Sequence, residues 1–191
     1  MRPRIPLLLL ALGSLPALAE AAGGAHEHGV GELAVAVENG AVELLLTAPL
    51  ADLVGRERAP ETDDERAAVA ARRDALLAAP LFRFEGAACE RRAADFTLPE
   101  AFTAPLEHEH EHEHEHEHEH EHEHDEDAAH DHGPHADGLV TWRFRCEADP
   151  TALIVDFDAL APLVLLRTQT LTDSGAAALE LSAEAPRAPL R

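Results

Sequence analysis

The chain has 191 residues, a formal charge of -22 at pH 7 and two cysteines. That length supports one domain or two small halves with a moderate core. The excess of acids argues against nucleic acid and anionic membrane surfaces as partners.

Residues 1–19 read MRPRIPLLLLALGSLPALA: two arginines, an apolar run from Leu7 to Leu18, and Ala17-Leu18-Ala19 as an A-x-A cleavage site. This pattern predicts a secretory signal peptide, cleaved near Ala19. The apolar run is too short to span a bilayer, so the exported chain is expected to be soluble, with no membrane insertion. In an exported protein an even pair of cysteines, Cys89 and Cys146, predicts one disulfide. The expectation is a clamp at the base of the histidine-rich insert that lies between them.

Residues 20–90 are expected to form a first half in the order β-β-α-β. His26 and His28 open it, alternating so that in an extended segment their rings share a side, as part of a fixed metal site. Glu32–Glu38 and Ala41–Thr47 alternate apolar and polar residues around Asn39-Gly40, which predicts a hairpin with a type I′ turn. Setting Glu38 opposite Ala41 pairs Val37 with Val42, Val35 with Leu44 and Leu33 with Leu46, all on one face. Leu53 to Pro60 reads as a turn-rich connector. Thr62 and Glu65 make a capping box for a helix from about Asp63 to Ala78, stopped by Pro80. Leu81–Cys89 is expected to be the third strand, and residues 91–106 an irregular connector held by Phe96 and Phe102.

Residues 107–137 are expected to be a metal-binding loop. His108, His110, His112, His114, His116, His118, His120, His122 and His124 alternate with acids, and His130, His132 and His135 follow. With no apolar residue to bury, ordering residues 107–127 would cost roughly 1 to 2 kcal/mol per residue of backbone entropy, so a disordered, mobile loop is expected. Imidazoles and carboxylates are ligands for a divalent ion, and tetrahedral zinc needs four of the groups on offer. His108-Glu109-x-x-His112 matches the zinc protease signature, but a repeat that matches in every register does not supply the amphipathic helix that motif requires. No enzymatic role is expected. The twelve acids from Glu107 to Asp127 favour imidazolium, so zinc affinity is expected to fall from about pH 7 to 5.5.

Residues 138–191 are expected to be a second, strand-rich half. Leu139–Cys146 alternates, with Trp142 and Phe144 directed to the core and Arg143 and Arg145 to the other face. Asp149 to Leu153 reads as a turn or short helical piece, and Val155–Pro162 as either strand or short helix. Val164–Thr172 and Ala176–Ser182 form a hairpin around Asp173-Ser174-Gly175. The expected fold class is α+β: two related halves, each of antiparallel strands packed with a helix, joined through the disordered His/Glu-rich loop.

His26-Glu27-His28-Gly29, the Asn39-Gly40 hairpin, Val54 to Asp63, the His-rich insert and the strand ending at Cys146 together resemble the ZrgA-type zinc-uptake-associated periplasmic proteins of Gram-negative bacteria. The resemblance implies a periplasmic, zinc-binding α/β sandwich of two related halves, associated with a zinc importer. By position it implies ligand roles for His26, His28 and His135. Where the family commonly shows Glu-His-Ala-Pro, this chain has Glu57-Arg58-Ala59-Pro60, so no imidazole is offered there.

The leading functional expectation is therefore a periplasmic protein that captures Zn(II) and passes it to the solute-binding protein of an ATP-driven importer. A nickel or copper buffer uses the same ligands, and copper is preferred at imidazole sites by affinity order. A third reading is an acidic interaction domain with a pH-sensitive loop, which would bind its partner without metal.

Overall fold

The structure is a computed structural model that describes residues 27–104 and 136–191. In chain order its elements are β1 (Val30–Glu38), β2 (Ala41–Pro49), α1 (Leu50–Val54), α2 (Asp63–Ala78), β3 (Phe82–Glu85), β4 (Cys89–Thr97), α3 (Glu100–Thr103), β5 (Asp137–Cys146), β6 (Ala152–Val155), α4 (Phe157–Leu160), β7 (Leu165–Thr172), β8 (Gly175–Ser182) and β9 (Arg187–Pro189).

The β1–β2 hairpin is the seed. Its register sets Glu38 opposite Ala41, Val37 opposite Val42, Val35 opposite Leu44 and Leu33 opposite Leu46, as the alternation predicts. Asn39 (φ 51°) and Gly40 (φ 74°) take the left-handed conformations that a type I′ turn demands. The six apolar residues are all buried.

Around this hairpin a six-stranded sheet forms in the order β4-β5-β2-β1-β7-β8, and a second sheet in the order β3-β6-β9. The strand pair β1–β7 is parallel. The second sheet packs on the first through aromatic edges: Phe82 meets Trp142 at 5.0 Å between ring centroids, and Phe84 meets Phe144 at 4.9 Å. Trp142, Leu44, Leu46, Leu153 and Leu166 are fully enclosed between them. Among the described residues no helix is long and apolar enough to cross a membrane.

The fold is mostly β, which corrects the α+β expectation. Among the described residues α2 is the only helix longer than five residues, and each sheet draws strands from both sides of residues 105–135, so the described strands do not pack as two separate halves. Three strands escaped the sequence reading for distinct reasons. β4 carries Glu90, Arg91, Arg92 and Asp95, lies at a sheet edge, and shifts register between Arg91 and Ala93, which breaks the alternation. β6 and β9 have four and three residues, too few to show a period.

Cys89 and Cys146 form the expected disulfide. Its place is different from the expected one. The two cysteines are register partners at one end of the β4–β5 pair, whereas the insert departs near the other end, where Thr97 faces Leu139. At about 3.3 Å per strand residue the bond lies about 25 Å from the base of the insert. It fixes the β4 edge to β5 and closes the sheet's far corner.

Candidate metal centre

The α1–α2 corner collects the ionisable groups of interest. Gly29, at the entry to β1, is held from two sides. Its carbonyl accepts from the N–H groups of Val164 (2.8 Å) and Leu165 (3.1 Å), and its own N–H donates to Asp52 Oδ2 at 2.7 Å. Asp52 sits on α1 and is only 6% exposed. The neighbouring Glu27 is paired with Arg167 at 2.9 Å. These bonds fix the backbone on both sides of His28.

The His28 imidazole stands between two carboxylates. Its Nδ1 lies 3.5 Å from Asp52 Oδ1, and its Nε2 lies 2.9 Å from Glu57 Oε1. The ring is 56% exposed and Glu57 40% exposed, so the pair can be reached from solvent.

Glu57 belongs to the α1–α2 connector, which is tied to the first turn of α2. Arg56 Nη1 contacts Glu65 Oε1 at 2.8 Å, and Arg56 Nε donates to Arg58 O at 3.2 Å. At the start of α2, Thr62 Oγ1 accepts from Glu65 N–H, and Glu65 Oε2 accepts from Glu61 N–H at 2.8 Å. This is a capping box displaced by one residue, because the carboxylate reaches Glu61 and not the N-cap N–H. The Arg56 guanidinium, and then the Glu61 N–H, hold the Glu65 carboxyl below its ordinary pKa.

The same corner carries both ends of the His-rich segment. Ala104, the last described residue before it, has its carbonyl bonded to Arg66 Nη1 of α2. Ala136, the first after it, accepts from Leu50 N–H of α1 at 3.0 Å. The two helices pack on one another. Ala104 is thus tied to α2 and Ala136 to α1.

Of the residues the sequence singled out, His28, Cys89 and Cys146 fall among those described. His26, the nine histidines from His108 to His124, His130, His132 and His135 lie outside the described residues, as does the signal peptide. Among the described residues no three His, Cys, Asp or Glu side chains are arranged to hold a metal ion. The geometry explains this: the ring nitrogens of His28 face in different directions, so Asp52 and Glu57 flank the imidazole and do not converge on one point. Sequence reasoning missed Asp52 altogether. It is one acid among 37, on a five-residue helix with no periodic signature. The signal that could have found it is its apolar setting, since Leu50, Leu53 and Val54 are all buried.

No curated protein matches the chain. The family model for the ZrgA family zinc uptake protein matches residues 25–190, a span that holds the hairpin, the α1–α2 corner, the His-rich segment and both sheets. With that span covered, the chain belongs to the ZrgA family of zinc uptake proteins.

Proposed function

We propose that this is a periplasmic, non-enzymatic zinc-binding protein that captures Zn(II) and supports its delivery to a high-affinity importer, by transfer to the importer's solute-binding component. One observation carries the reading: nine imidazoles alternate with acids through the seventeen residues from His108 to His124. Many near-equivalent ligand sets on one segment let an ion pass between neighbouring sites without full dissociation, which suits capture followed by release. The fold supports this by fastening both ends of the segment to α1 and α2, on a disulfide-closed scaffold. The family assignment to zinc uptake points the same way.

The test is a zinc titration by calorimetry of the whole protein and of the chain lacking residues 107–124, with elemental analysis of protein isolated from its native compartment. The intact protein is expected to bind several zinc ions and the deletion at most one or two. Equal stoichiometry in the two proteins would overturn the proposal. Nickel or copper in place of zinc in the isolated protein would reassign the cargo.

A further inference from the structure

We propose that β8 is an interaction edge whose occupant is a second copy of this chain, the two β8 strands pairing antiparallel about a two-fold axis at Ala178 and joining two six-stranded sheets. The inference is independent of the zinc-binding reading above.

The two edges of the large sheet are built differently. β4 and β8 are its outer strands. β4 is defended against pairing: it carries Glu90, Arg91, Arg92 and Asp95, and its register shifts between Arg91 and Ala93. β8 reads GAAALELS, with one charge, no proline and an unbroken register against β7 from Gly175 to Ser182. An eight-residue edge without charge, bulge or proline to protect it is a template for another strand.

The register also says which backbone groups are free. Thr172 and Gly175 close the β7–β8 hairpin around two residues, so they form a hydrogen-bonded pair. Such pairs recur at every second residue, through Ala177, Leu179 and Leu181. The N–H and C=O groups of Ala176, Ala178 and Glu180 therefore point away from β7. Among the described residues no strand pairs with that side.

A second copy fits these groups. With the axis at Ala178, each Ala178 faces its counterpart, Ala176 faces the partner's Glu180, and Leu179 faces the partner's Ala177. Alanine methyls let the strands approach closely, and Leu179, half-buried in one copy, covers an alanine that is otherwise exposed. Charges are kept apart. Glu180 lies opposite Arg167 of its own β7 and opposite an alanine of the partner. The two glutamates are about 14 Å from one another, beyond the screening length of about 8 Å at physiological salt. Because the contact is isologous and the outer edges of the joined sheet are then the two β4 strands, assembly stops at two copies. One strand pair is a small interface and the chain carries a charge of -22, so a dissociation constant of roughly 10 to 100 µM is expected.

The test uses the full chain with a chelator present, so that no metal ion bridges two copies. Sedimentation velocity between about 10 and 500 µM should show a reversible monomer–dimer equilibrium. Hydrogen exchange over the same range should show the amides of Ala176, Ala178 and Glu180 becoming protected with concentration, while those of Ala177, Leu179 and Leu181 are protected throughout. Ala178→Pro removes an N–H that faces away from β7, at an edge position where proline is tolerated, and should give a folded monomer at every concentration. Ala178→Lys keeps the N–H but sets two ammonium groups together at the axis, and should weaken the dimer at least about tenfold. A chain that stays monomeric to 500 µM overturns the inference. So does a dimer in which the three amides exchange freely, or one that Ala178→Lys leaves intact; either would place the contact on another surface.

Discussion

Cys89 and Cys146 face each other directly across the β4–β5 pair, at the end of those strands opposite to the departure of the His-rich segment. Their sequence separation is 57 residues, and closing a loop of that length contributes about 4 kcal/mol in the chain-entropy picture. Yet the bond does not border the His-rich segment. Replacing both cysteines by alanine is therefore expected to lower the urea midpoint strongly while leaving zinc stoichiometry unchanged, provided binding is measured where the variant is folded. Loss of zinc ions from the folded double variant would mean that the disulfide shapes the binding segment after all.

Gly40 is a second structural fulcrum at the same corner. Its φ of 74° is in the left-handed region, and a Cβ placed there would lie 2.7 Å from the Cys146 carbonyl oxygen. Its N–H donates to Asp149 at 2.6 Å, and its carbonyl accepts from Cys146 N–H at 2.7 Å. Because Cys146 is tied to Cys89, it cannot recede freely. Gly40→Ala is expected to cost at least the 1–3 kcal/mol typical of a side chain forced into this conformation. Equilibrium denaturation compared with Asn39→Gly, which removes backbone strain, gives the sign. A Gly40→Ala protein as stable as its parent would show that the turn has another accessible geometry.

Local chemistry was legible: Asn39-Gly40 set the hairpin register, and Thr62 with Glu65 set the start of α2. Trp142 is in the core, as its alternation implied. What failed was long-range or short-lived pattern. The parallel partnership of β1 with β7 joins residues more than 130 positions apart, and nothing in either strand names the other. The charges of β4 suit an exposed edge and hide a strand. At the candidate site His28 was visible through its alternation with His26 in a histidine-biased chain, whereas Asp52 and Glu57 became distinctive only when folding set them on either side of His28.

The Glu65 carboxyl gives a pH prediction with a definite sign. Its pKa in the folded protein is lowered, first by the Arg56 guanidinium and then by the Glu61 N–H. A depressed folded value means that the stabilisation is present above the unfolded pKa, about 4.3, and is lost as pH falls through the folded one. Thermal scans should find Glu65→Gln less stable than the parent at pH 6 to 7, with the difference closing below about pH 4. The side chain is 36% exposed, at the protein surface, so the gap should be small and should shrink with added salt. A difference that persists at pH 3 would point to helix packing and not to the charge.

Zinc retention should fall over a higher range, for a different reason. An imidazole must be neutral to ligate, and an ordinary histidine passes from mostly neutral to mostly protonated between pH 7 and 5.5. The segment's twelve acids from Glu107 to Asp127 push in the same direction, because a negative field stabilises imidazolium. Each ion held by several imidazoles must displace several protons, so affinity should drop more steeply than a single titration. Competition with a chelator of known pH dependence measures this directly, with the nine-fold His→Gln chain as the control that keeps every carboxylate. The parent should lose affinity sharply across the window and the control should be weak throughout. A flat parent profile would mean that the carboxylates hold the zinc and the imidazoles are spectators.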